Sequence, residues 1–235
     1  MNSSLTAKTG MKDTIPTLAG YIGVGLAFGV VAKAAGLSVF VIILMSVVTY
    51  SGAAQFVIVS MLLAGSTFFA ILTSVFLLST RMFLMGMTVA PFLNQESMTR
   101  NIILGSLLTD ETFALSMNKL NYTNRTLSFP WLNAANLLAY STWIVASGFG
   151  GALGSLIPNP SQFGMDFAFL AMFIGLLYLQ VAADRTISLT LQLIMILIVL
   201  GLVYVGLILI PSNLLLIIVT LIGCGMGVAL KHAFF

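Results

Sequence analysis

Charge is what this sequence has least of. Asp, Glu, Lys and Arg make up 6% of 235 residues, against 60% apolar residues and a mean hydropathy of +1.12. A water-soluble domain carries about a quarter charged residues, so a soluble enzyme, a nucleic-acid binder and a disordered chain are excluded together. The single cysteine, Cys224, forbids an intrachain disulfide and stands in an apolar run, where it reads as a buried packing residue. The single histidine, His232, lies near the C-terminus without companions at metal-ligand spacing. Neither a metal centre, a cofactor nor a histidine-dependent catalytic group is expected. No Walker-type phosphate loop is present either, so any transport work would draw on an ion or solute gradient.

What the chain has in abundance is apolar length. Judged against the roughly 20 residues that a spanning helix needs, apolar runs occur at about 15–35, 37–64, 67–90, 102–117, 131–156, 167–182, 187–210 and 213–230. The expected fold is therefore all-α, a polytopic membrane bundle of about eight spans forming a single membrane-embedded domain over residues 1–235. Met1 to Thr14 is polar, and the run after it ends without a small-residue cleavage site, so it reads as a first span and not a signal peptide. Two runs are irregular. The second is too long for a plain span and is interrupted by Ser51-Gly52-Ala53-Ala54-Gln55, which predicts a broken span; the fourth is short and holds Thr109-Asp110-Glu111.

Eight spans put Lys8, Lys12, Lys119, Arg125, Arg185 and Lys231 on one side and Lys33 and Arg100 on the other, with Arg81 inside a span. Since Lys and Arg accumulate on the cytoplasmic side, both termini and residues 118–130 and 183–186 are expected there. Glycines at helical spacing, Gly25 and Gly29, Gly150 and Gly154, Gly223 and Gly227, read as close helix contacts, because lipid offers no hydrophobic drive between helices. No internal repeat is visible.

Ionised side chains deep in a span cost about 2.5–3.5 kcal/mol. Counted at 1.5 Å per residue from Thr67 and from Ile102, Arg81 and Asp110 come out at similar depth, about 9 and 12 Å from one edge of a 30 Å core. They read either as a structural ion pair or as substrate or proton groups. The break at Ser51-Gly52-Ala53-Ala54-Gln55 has two readings as well. A half-helix starting there would aim backbone N–H groups and its positive end at a carboxylate; alternatively the small residues let a neighbouring helix approach and Gln55 bonds across. Asp166 reads as a cap on the sixth span, and Glu96, Arg100, Asp184 and Arg185 as loop residues, the first two outside.

The segments AFGVVAKAAGLS (27–38), SGAAQF (51–56), STRMFLMGMTVAPFL (79–93), LLTDETFAL (107–115), GALGSLIPNP (151–160) and GMDFAF (164–169) resemble, in order and spacing, the AzlC family of bacterial branched-chain amino-acid exporters. The resemblance implies a large permease subunit of the cytoplasmic membrane working with a small hydrophobic AzlD-type subunit. It puts the family's break on Ser51, Gly52, Ala53, Gln55 and Phe56, its intramembrane arginine on Arg81 and its acidic segment on Thr109, Asp110 and Glu111. Where the family commonly reads Asn-Leu-Arg-His, this chain has Ser79-Thr80-Arg81-Met82. The reading that follows is an exporter of branched-chain or similar small apolar amino acids, methionine among them. The alternative is a passive pore or a scaffold subunit with a fixed Arg81–Asp110 pair. They differ in whether the Gly52 region and Asp110 line one cavity.

Overall fold

The computed structural model describes residues 3–156, 188–209 and 212–234, with isolated helical positions at 167, 174–175, 177–178 and 181. Asp166, Asp184, Arg185, the Pro158-Asn159-Pro160 break and most of the expected sixth span lie outside the described residues. The described residues are helical, without a strand, and fall into two compact units, Met1–Leu177 and Tyr178–Phe235.

The first unit holds α1 (Ala7–Ala34), α2 (Val39–Val48), α3 (Gly52–Leu63), α4 (Phe68–Val89, continued by a 3-10 turn at Ala90–Leu93), α5 (Met98–Ser106), α6 (Asp110–Leu120) and α7 (Phe129–Gly154). Each of the seven opens on a hydroxyl residue. Thr6, Ser38, Ser51, Thr67, Ser97, Thr109 and Ser128 all accept the N–H of the third residue onward, and such a cap satisfies one of the N–H groups that a helix start leaves without a partner. Capping by Thr6 starts α1 two turns ahead of the expected first span.

α1 and α7 pack in parallel along a seam of small residues. Gly10 lies on Trp131, Gly25 on Ala146, Gly29 on Ser147 and Gly150, and Lys33 on Gly154. A Cβ at Gly29 would stand 2.1 Å from the Ser147 carbonyl oxygen, and one at Gly150 2.2 Å from that of Leu26, so only glycine permits this approach. The expected contacts at Gly25, Gly29, Gly150 and Gly154 are all in this seam. Both helices thus begin on one face of the unit, the N-terminal face, and end on the opposite one.

That pairing fixes the other elements. At the N-terminal face, Lys119 near the end of α6 donates to Asp13 of α1 at 2.7 Å. The loop after α4 lies there too: Glu96 accepts the Phe129 N–H at 2.8 Å and the Leu127 N–H donates to the Phe92 carbonyl at 3.0 Å. α5 therefore starts from the N-terminal face and α6 returns to it. On the opposite face, Ile42 and Ile43 of α2 lie on Gly151 and Gly148 near the end of α7, and α2 descends until Tyr50 meets Tyr140 edge to face at 4.7 Å. α3 then turns back, with Phe56 on Phe28 of α1 at 5.4 Å. α4, which ends on the N-terminal face, starts from the opposite one.

The second and fourth runs are therefore two helical hairpins that enter and leave by the same face, which corrects their expected role as spans in a count of eight. The physical reason is length. Their half-helices have 10, 12, 9 and 11 residues, about 14–18 Å each and half of a 30 Å core. Irregular backbone at such depth needs burial in protein, and Tyr50, Leu108 and Thr109 at the tips are buried. Glu96 and Arg100 move with this correction to the face that carries Lys8, Lys12, Lys119 and Arg125, leaving Lys33 as the lone basic residue of the opposite face among the described residues of this unit. The Phe129 N–H and then Arg100 hold the Glu96 carboxyl below its usual range, so the stability it lends is present above the ordinary carboxylate range and is lost only as pH falls through the lowered value.

An internal symmetry that a single sequence does not display is now plain. α1 followed by the α2–α3 hairpin and α4 followed by the α5–α6 hairpin are the same arrangement in opposite senses, with serine caps on the first half-helices (Ser38, Ser97) and hydroxyl caps on the second (Ser51, Thr109). In the second unit, α8 (Leu189–Leu209) and α9 (Ser212–Phe234) run antiparallel, with Gly206 on Leu215, Gly223 on Val199 and Gly227 on Met195. Cys224, expected to pack, is exposed on α9, because Gly223 and Gly227 take up the contact face.

The hairpin topology has a direct test. In a Cys224→Ala background, cysteines at Gln95 and Asn124 should react with an impermeant maleimide from the same side of the membrane and one at Ser66 from the other. Eight crossings would put Gln95 and Asn124 on opposite sides.

Candidate functional site

The tips of the two hairpins meet from opposite faces at mid-unit. Ser51, Gly52 and Ala53 from one and Thr109, Asp110 and Glu111 from the other line a single cavity of about 20 Å³, closed by Tyr21, Tyr50, Met82 and Trp143. That is room for one or two waters. The Gly52 region and Asp110 thus share a cavity, the geometry that separates the two sequence readings.

Each wall is built from its own helix start. Ser51, capping α3, accepts the Ala54 N–H, and no acid stands in the first turn of that helix. Thr109 caps α6 in a reciprocal box with Thr112, and Asp110 and Glu111 occupy its first turn. Both half-helices aim their positive ends at the cavity. Only one of the two is neutralised by its own carboxylates, so the cavity has an electropositive side at Gly52 and Ala53 and an acidic side at Asp110 and Glu111.

The acids are held by defined partners. Arg81 Nη2 of α4 donates to Asp110 Oδ2 at 2.8 Å, with the carboxylate buried and the arginine about one-third exposed. Tyr21 of α1 bonds both the Thr109 hydroxyl and, at 3.0 Å, Glu111 Oε2. The matched depth of Arg81 and Asp110 read from the sequence is realised, although Asp110 reaches it at the tip of a hairpin and not within a full span.

Gln55 and Phe56 stand one turn behind the cavity. Gln55 is fully buried, with its oxygen accepting from Trp143 Nε1 at 2.8 Å and its nitrogen donating to Ser46 at 3.1 Å, and Ser46 continues to Ser147 at 2.7 Å. This chain of bonds ties the α2–α3 hairpin to α7 and presses the Trp143 ring against Gly52. Phe56 is in the apolar core with Phe28 and Trp143. Sequence reasoning missed Tyr21, Tyr50, Met82 and Trp143. The legible signal was a tyrosine in mid-helix, an aromatic whose hydroxyl demands a partner when buried.

The comparisons with known proteins bear on this geometry. The AzlC protein family matches residues 16–157, which runs from α1 to just past α7 and so includes both hairpins. The chain belongs to the AzlC family. An AzlC relative in Escherichia coli K12, the inner membrane protein YgaZ, is 31% identical over 80% of this chain and 78% of its own length. An uncharacterized membrane protein of Helicobacter pylori 26695 is 31% identical over 72% of this chain and 73% of its own. The branched-chain amino acid transport protein AzlC of Bacillus subtilis 168 is 26% identical over 68% of this chain and 62% of its own. No solved structure matches. The AzlC proteins form a membrane transport family, and this chain is a membrane protein of that family.

The buried Lys119–Asp13 pair, with Lys119 also 5.3 Å from the Trp131 ring centre, anchors the acidic hairpin to α1. Lys119→Met leaves the Asp13 carboxylate without its cation, with the Trp131 indole N–H still donating to it at 3.1 Å, and should lower stability by about 3 kcal/mol, read as a fall in the thermal midpoint of the purified chain; adding Asp13→Asn should restore most of it.

Proposed function

We propose that this protein is the large subunit of a secondary exporter of branched-chain or similar small apolar amino acids, methionine among them, in the bacterial inner membrane. The observation that carries the reading is the unequal pair of half-helix ends on one cavity. A zwitterion needs a positive element and an acidic one a few ångströms apart: the Gly52 and Ala53 N–H groups at the start of α3 take the carboxylate, and Asp110 and Glu111 take the ammonium. Met82, Tyr21 and the Trp143 ring supply an apolar wall for the side chain. The name of the Bacillus subtilis relative supports the substrate class.

A cavity of about 20 Å³ does not admit leucine, so substrate binding requires the hairpins to part from α1 and α7. The α1–α7 seam, with backbone on backbone, is the fixed frame, while the hairpins hang on side-chain bonds and are the moving parts. The inverted arrangement gives each face one such part, as alternating access requires. Asp110 or Glu111 is the proton site if the gradient used is one of protons. The excess of Lys8, Lys12, Arg100, Lys119 and Arg125 over Lys33 supports a cytoplasmic N-terminus, and the reading takes the C-terminus to be cytoplasmic as well. The working unit is the full 1–235 permease domain with a small AzlD-type subunit.

Efflux of radiolabelled leucine, isoleucine, valine and methionine from cells expressing the chain, with and without the small subunit, tests activity, substrate class and subunit need together; no efflux of any of the four in either case refutes the reading. Gly52→Leu should abolish efflux at unchanged membrane abundance, because even a Cβ at Gly52 would stand 2.9 Å from the Trp143 ring and the rest of the side chain fills the carboxylate site. Asp110→Asn combined with Arg81→Gln removes both charges of the pair, so protein yield should recover while leucine efflux falls by about thirtyfold or more. Full efflux by the double variant would make the pair structural.

A further inference from the structure

Tyr50 is the feature that the proposed site leaves unused. It stands at the tip of the α2–α3 hairpin, two residues before Gly52, in a left-handed backbone conformation with φ of 36°. A non-glycine residue is strained there and persists only where its surroundings over-determine it. The ring is held edge to face on Tyr140, and Tyr140 is itself tied down by a 2.8 Å bond from its hydroxyl to the Val47 carbonyl. Thus the strained residue is clamped in the cavity wall. That residue is 8% exposed, and its hydroxyl makes no hydrogen bond of ordinary length among the described residues, although Tyr21 is close enough to interact with it. Its polar neighbour Tyr21 already spends its own hydroxyl on Thr109 and Glu111.

A buried hydroxyl without a partner costs the fold stability, and strain with an orphaned donor at one residue is the pattern of a group kept for a ligand. We infer that the Tyr50 hydroxyl is a substrate contact, donating to the amino-acid carboxylate as it docks on the Gly52 and Ala53 N–H groups. Ser51 is committed as the α3 cap, Gln55 to Trp143 and Ser46, and Tyr21 to the acidic hairpin. Tyr50 thus adds an O–H donor to the electropositive side of the cavity. This assignment rests on the amino-acid reading proposed above.

The test uses the full-length chain together with the small AzlD-type subunit in proteoliposomes, with binding of radiolabelled leucine and of leucinol, which keeps the ammonium and side chain and lacks the carboxylate. Tyr50→Phe should retain the wild-type yield and a thermal midpoint at least as high, since it deletes an unsatisfied group and keeps the ring on Tyr140. Leucine affinity should fall by about tenfold or more, as for a lost hydrogen bond to a charged group, while leucinol binds both proteins alike. Unchanged leucine affinity in Tyr50→Phe, with normal binding by the wild type, overturns this inference and leaves the exporter reading standing. An equal loss for leucinol overturns the carboxylate assignment. Wild-type protein that binds no amino acid refutes the exporter reading and takes this inference with it.

Discussion

The structure depends on the parallel contact of α1 with α7. Two helices that run the same way must be separated by an odd number of crossings, and α4 alone supplies it between them. Everything else between α1 and α7 has to return to the face it came from. The two hairpins follow from that parity, and the parity follows from glycines: with backbone on backbone at Gly29 and Gly150, helices 121 positions apart in register lock side by side where bulkier residues would hold them off.

A hairpin that stops at mid-membrane leaves helix ends where lipid cannot hydrogen-bond them. The chain meets this need with Ser51 and Thr109, which cap the inner half-helices, and with burial of the tips against α1 and α7. The same arrangement creates the site. Two positive helix ends pointed at each other would repel; Asp110 and Glu111 offset one of them and leave the other open, and Arg81 and Tyr21 hold the acids in place. Charge that is scarce along the sequence is thus concentrated where the helices break.

Much of this was legible in the residues. A Gly between small polar residues marked the Ser51 break, and Thr109-Asp110-Glu111 is a helix-start signature of a hydroxyl cap followed by acids. The depth match of Arg81 and Asp110 held even though the fourth run does not cross, because a hairpin tip and the middle of a span lie at the same depth. What failed was the assumption that each apolar run crosses. A run of 25 residues is as long as two half-helices that enter and return, and hydropathy does not sense a reversal of direction. Gln55 was placed with the break by its position and Phe56 by the family resemblance, yet one helical turn carries them from cavity to core. Tyr50 and Trp143 escaped notice because aromatic residues are ordinary in any apolar run.

By itself, then, the sequence determined the solvent, the helical class, the positions of the helix breaks and the residues able to bear charge between them, since each depends on local composition: hydropathy, hydroxyl caps, glycine. Tertiary structure alone decided which face each segment leaves by, which breaks meet and which buried hydroxyl lacks a partner. Those are relations between residues far apart in the sequence, set by how closely two glycine faces approach, and no local pattern encodes them.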